Sequence, residues 1–190
     1  MSVLYIVLPL ALLVVGENAA SVGVKRIREI IDEAVHRLES APPGKGKRTI
    51  VFRKTRPLPS YLLAVAVGAL DTVPIPGTSV PARVVFPKGQ GALAADAVRM
   101  TPPILEALER YFGSRHPYEK IDLVAVPEYW YGAMENPGLI TFRDERLLLD
   151  PERGTDSQKQ QLAVYLAHEL AHMWFGDLVT MAWWEDLWLS

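Results

Sequence analysis

Val24, Ile27, Ile30, Ile31, Ala34, Val35 and Leu38 recur at the spacing of one helix face, with Lys25, Arg26, Arg28, Glu29, Asp32 and Glu33 between them. This predicts an amphipathic helix. Ala41-Pro42-Pro43-Gly44-Lys45-Gly46 ends it and reads as a linker. Two apolar runs follow, residues 49–53 and 61–68, separated by Arg56-Pro57-Leu58-Pro59; both read as strands. Val73-Pro74-Ile75-Pro76-Gly77 breaks the pattern again and marks the expected domain boundary. Beyond it the pattern predicts a strand at 82–86, a helix at 92–112, a buried strand at 121–126 and a short strand at 139–142. A further helix is expected to open on Ser157, with Gln160 completing a capping box and Asp156 placing charge near its start. It runs through Leu162, Tyr165, Leu166, Leu170 and Trp174 to a stop at Gly176. Residues 183–190 read as a last helical segment.

Hydrophobic residues make up 49% of the 190 and charged residues 22%, the balance of a folded globular chain. The net charge of −2 provides no field of one sign to attract nucleic acid, and no clear membrane partner follows from it either. There are no cysteines, so a metal would have to sit on His and carboxylate. Residues 3–15 are apolar apart from Pro9. The run is short against the ~20 residues a membrane-spanning helix needs. It has the length of a signal-peptide core, but no Lys or Arg precedes it and Asn18-Ala19-Ala20-Ser21 is a poor cleavage site. A cytoplasmic and a secreted or periplasmic location therefore both stay open.

His168-Glu169-Leu170-Ala171-His172 is an HExxH sequence. Residues four apart stack on one helix face, so both histidines can address one ion. Glu169 lies beside that face, within reach of a water on the metal. It can take the proton as that water attacks a carbonyl. HExxH is short enough to arise by chance. Here it lies on a capped and mostly apolar helix, where two histidines and a glutamate are costly to bury without a purpose. A catalytic zinc site needs at least three protein ligands. The metzincin pattern would place a third His at position 178, which is Leu178, so that class is excluded.

Residues 168–190, HELAHMWFGDLVTMAWWEDLWLS, resemble the zinc-helix region of the gluzincin aminopeptidases, the family of aminopeptidase N and puromycin-sensitive aminopeptidase. Gly132-Ala133-Met134-Glu135-Asn136 matches that family's GAMEN exopeptidase motif, in the expected order and at the expected separation. Residues 57–68 resemble the end of its N-terminal β-domain, so the likeness covers residues 47–190. It implies zinc as cofactor, His168 and His172 as the first two ligands, and Glu169 as the general base. It implies that Glu135 binds the substrate's α-ammonium group and that Gly132, Ala133, Met134 and Asn136 frame the strand along which the substrate's first residues lie. An anion fixed near the metal contributes only when an ammonium is present, and so measures the distance from the N-terminus to the scissile bond.

In that family the third ligand is a Glu nineteen residues after the second His, which here is position 191, just past Ser190. The oxyanion-stabilising Tyr and the helical domain that closes the cavity would lie further on. Glu185 and Asp186 correspond to a polar pair that is not the ligand. The expected fold is α+β: residues 1–46 as an apolar stretch, helix and linker, 47–79 as the remnant of a β-domain, and 80–190 as the first half of a thermolysin-like catalytic domain. The expected function is zinc-dependent removal of the N-terminal residue from peptides with a free N-terminus, with further chain segments needed to complete the site. The competing expectation is a catalytically incomplete fragment or pseudoenzyme that retains only peptide binding. An epoxide hydrolase built on the same site is not separated from these by the motifs alone.

Overall fold

The computed structural model describes residues 6–7, 55–56 and 58–189. The predicted helix at 24–38, the linker at 41–46 and the strand at 49–53 lie outside them, as does most of the 3–15 stretch. The chain forms two compact units, residues 9–63 and residues 1–8 with 64–190. In the first, a 3-10 turn at Ser60–Leu62 is closed by Leu62 N–H donating to the Pro59 carbonyl at 3.1 Å.

In the second unit, β1 (Ile6–Val7) pairs antiparallel with β2 (Ala66–Val67). The expected strand at 61–68 is thus reduced to two residues. The sequence is apolar enough for more, but a strand extends only as far as its partner offers backbone groups.

A five-stranded mixed sheet carries the rest, with β3 (Leu70–Pro74), β4 (Ala82–Pro87), β5 (Ile121–Val126), β6 (Ala133–Met134) and β7 (Ile140–Arg143) in the order β3-β4-β5-β7-β6. Residues on both sides of position 79 share this sheet, because β3 pairs antiparallel with β4. The predicted break at 73–77 correspondingly starts late: Val73 and Pro74 are still paired, and the turn follows. β4, β5 and β7 run parallel, which requires a crossover. Helix α1 (Ala95–Phe112) supplies it between β4 and β5, entered through a 3-10 turn at Gly91–Ala94. It ends on Gly113 in the left-handed region at φ 65°, donating to the Glu109 carbonyl.

Every residue of β5 is buried. Ile121, Leu123 and Ala125 join Val84, Phe86, Ile140 and Phe142 in a core under the helices. Val124 and Val126 alternate to the other face with Val85 and Tyr129. A central parallel strand covered on both sides reads as a continuous apolar run for this reason. Its one charged residue, Asp122, takes Arg83 at 2.7 Å and Lys120 at 2.7 Å.

After β7 come a single turn, α2 (Asp144–Leu147), and then α3 (Asp156–His172). The cap is Thr155, whose hydroxyl accepts from Gln158 N–H while the Gln158 side chain accepts from Thr155 N–H. This corrects the Ser157–Gln160 box: both frames satisfy the pattern, and the earlier one adds hydrogen-bonded residues and puts Asp156 in the first turn. Leu162, Leu166, Glu169 and Leu170 form the buried face of α3. The last segment, Trp184–Leu189, is a 3-10 helix with a kink at Asp186. Among the described residues no helix is long and apolar enough to cross a membrane. The fold is α+β, as the sequence predicts.

Candidate metal centre

Helix α3 carries His168, Glu169 and His172 within its last two turns. The two imidazoles stand nearly perpendicular, at 88°, with their Nε2 atoms 3.2 Å apart. His172 Nδ1 lies 3.1 Å from the Phe175 carbonyl. A carbonyl only accepts, so this ring nitrogen carries the proton and Nε2 offers a lone pair. Two nitrogens in a tetrahedral zinc site stand about 3.3 Å apart when each metal–nitrogen bond is ~2.0–2.1 Å. The observed 3.2 Å is compatible with that spacing. The His168 pKa is lowered, first by burial and then by the neighbouring His172, against the opposing pull of Glu135.

The chain after the helix holds this geometry. α3 ends at His172 and not at the predicted Gly176. The following residues fold back, with Asp177 N–H donating to the His172 carbonyl at 3.0 Å and Gly176 N–H to the Val179 carbonyl at 2.9 Å. Gly176 sits at φ 124°, and a Cβ there would come within 2.7 Å of His172 Nδ1. Only glycine permits both the backbone angle and the approach. Trp174 pins the same loop to the end of α1, stacking on Phe112 at 5.0 Å and donating from Nε1 to Ser114 Oγ at 2.8 Å.

Glu169 is only 4% exposed, and its Oε2 has no hydrogen-bond partner among the described residues. Burial, followed by the charge of Glu135, pushes its carboxyl up to about 8. Glu135 arrives from the other side, at the end of edge strand β6. Single ligand atoms of Glu135, Glu169 and His172 lie within 4.8 Å of one another, and His168 adjoins through its 3.2 Å contact with His172. Glu185 and Asp186 are not in that group. Two carboxylates and an imidazole nitrogen within this reach are a donor set that suits a divalent cation.

The other residues of the GAMEN segment lie on and beside edge strand β6. Gly132 passes Tyr165 of α3 so closely that a Cβ would lie 2.8 Å from the Tyr165 hydroxyl oxygen. Ala133 and Met134 pair antiparallel with Phe142 and Thr141. The Asn136 side chain turns into the protein and is held by Thr141.

Asp177 was not singled out by sequence reasoning. It is 4% exposed, neither carboxylate oxygen has a hydrogen-bond partner among the described residues, and burial with the charges of Glu135 and Glu169 pushes it up to about 8. Its sequence signal is faint: one acid among apolar residues after Trp174-Phe175-Gly176, which a solvated turn would also produce.

Residues 96–190 match the Peptidase family M1 domain. Glutamyl aminopeptidase of Bos taurus is 41% identical over 140 residues, which is 73% of this chain and 15% of that protein. Puromycin-sensitive aminopeptidase of Caenorhabditis elegans is 40% identical over 155 residues, 80% of this chain and 16% of that protein. Aminopeptidase N of Acetobacter pasteurianus is 37% identical over 153 residues, 80% of this chain and 43% of that protein. The chain thus spans less than half the length of each of these relatives. With half of its residues matched by the family domain, and HExxH and GAMEN brought together at one site, the chain belongs to peptidase family M1.

Proposed function

We propose that the protein carrying this chain is a zinc-dependent aminopeptidase with a thermolysin-like catalytic domain. The observation that carries the reading is the convergence of Glu135 on the histidine pair and Glu169. His168 and His172 would hold the metal through Nε2, and the Glu expected nineteen residues after His172 would be the third ligand. Zinc, when bound, lowers the pKa of its water and polarises a carbonyl.

The chain's own residues do the rest. Glu169 has a carboxyl raised by burial, so it is basic enough to accept a proton from water and acidic enough to hand that proton to the leaving amine. Glu135 binds the α-ammonium of the substrate through a charge-assisted hydrogen bond. The backbone of β6, on the edge of the sheet, lets the first residues of a peptide add as a further strand. Gly132 keeps that strand close against α3.

The test is Glu169→Gln in the full-length protein, assayed on amino-acid anilides with a free and with an acetylated α-amine. Zinc content should stay at the wild-type level while kcat falls by about 10²–10⁴. On the wild-type protein the acetylated substrates should turn over far more slowly than the free ones, at a residual rate still measurable as kcat/KM. Near-normal turnover by the variant, or equal rates on free and blocked substrates, contradicts the proposal.

A further inference from the structure

β6 is two residues long and lies at the edge of its sheet, where among the described residues its strand partner is β7. So short an edge strand has little of its own to fix its position. Yet Glu135 directly follows it, and an anchor for an α-ammonium is useful only at a fixed distance from the metal. The constraint comes from the opposite face of the sheet. Thr141, fully buried on β7, has its Oγ1 3.0 Å from Asn136 Oδ1 and 3.2 Å from the Tyr129 hydroxyl. Asn136 Oδ1 can only accept, so the single Thr141 hydroxyl hydrogen goes there, and Tyr129 donates to Thr141. All three side chains are buried.

The chain Tyr129–Thr141–Asn136 therefore ties both ends of segment 129–136 to one point on β7. Arg143 reinforces the first end: its Nε donates to the Tyr129 carbonyl at 2.6 Å and its N–H to the Gly132 carbonyl at 2.9 Å. The second end is closed by a tight turn in which Leu139 N–H donates to the Asn136 carbonyl at 3.0 Å. Pro137 and Gly138, the latter at φ 72°, occupy its two central positions, as a type II turn requires.

We propose that Tyr129 and Thr141 are positioning residues: through Asn136 they hold Glu135 at the distance from the histidine pair that restricts cleavage to a free N-terminal residue. Neither touches the substrate, and both act through the backbone of the GAMEN segment. This rests on the aminopeptidase reading above.

The test uses Thr141→Val, Thr141→Ser and Tyr129→Phe in the full-length, zinc-loaded protein, with zinc content measured alongside kinetics. Thr141→Val should raise KM for free-amine anilides by about three- to tenfold, with kcat unchanged, since one hydrogen bond is worth ~0.5–1.5 kcal/mol. The preference for free over acetylated substrate should fall by the same factor. Tyr129→Phe should move both quantities in the same direction by less, Thr141→Ser should restore them, and zinc content should not change. Variants that melt earlier but keep the wild-type KM and preference overturn the proposal and leave the network a structural role only. So does a loss of activity in Thr141→Val that Thr141→Ser does not repair. If Thr141→Val fails to fold, Tyr129→Phe decides by the same two readouts. A wild-type protein inactive on both substrates sinks the aminopeptidase reading, and this inference with it.

Discussion

Replacing Gly176 with alanine tests whether the loop after α3 aims His172. The backbone angle of 124° is one that an alanine adopts only under strain of about 1–3 kcal/mol. The new Cβ would also stand 2.7 Å from His172 Nδ1 and 3.6 Å from the His172 carbonyl. The imidazole cannot yield freely, because Nδ1 is bonded to the Phe175 carbonyl. Either the ring swings and loses that bond, or the loop opens and loses the bonds from Gly176 to Val179 and from Val179 to Trp174. Each is worth about 0.5–1.5 kcal/mol. Strain and one lost bond together give about 2–4 kcal/mol. A urea titration of the full-length protein should show the midpoint falling accordingly. Competition of a chelator for zinc should show affinity reduced by about 10–100-fold, as for other losses of a ligand's orienting hydrogen bond. A Gly176→Ala protein with wild-type midpoint and wild-type zinc affinity would refute the argument.

Three further outcomes follow from the same structure. Burial works against ionisation of Asp122, but hydrogen bonds from Arg83 and Lys120 outweigh it and hold the carboxyl below its ordinary 3.8. The stability this provides is present above the ordinary carboxylate range and is lost as pH falls through the depressed value. Asp122→Asn should therefore cost about 1–2 kcal/mol at pH 7, both cations being half-exposed, and the gap to wild type should close in acid denaturation series below that range. Leu166 is fully buried between α3 and the sheet, so Leu166→Ala should cost about 2–5 kcal/mol by urea titration. Gly132→Ala should raise KM for peptide substrates with zinc content unchanged, because the Tyr165 ring leaves no room for a methyl group.

The parts of this fold that were legible in sequence are those whose period is set locally. The helix at 95–112, the buried strand at 121–126 and the helix bearing HExxH follow from apolar spacing, and GAMEN and HExxH singled out Glu135, Glu169 and His172, which the fold brings together. Element ends were less legible because several frames satisfy one rule. Thr155–Gln158 and Ser157–Gln160 both spell a capping box, and the chain uses the first. Gly176 does mark a departure from the helix, but α3 has already ended at His172, and the glycine serves the approach to that ring. The run at 61–68 has strand composition, yet only Ala66 and Val67 find partners. Burial of polar groups was not legible at all. Whether Asp177, Thr141 and Asn136 face water or the interior depends on contacts made far along the chain, and no local pattern separates the two cases.

The most direct test of the central claim is metal analysis of the full-length protein coupled to its turnover of a free-amine anilide, before and after chelation. The account predicts about one zinc per chain, loss of both metal and turnover on chelation, and recovery of both on adding zinc back. It also predicts that His172→Ala retains neither. Full turnover by a metal-free protein, or by His172→Ala, would contradict it.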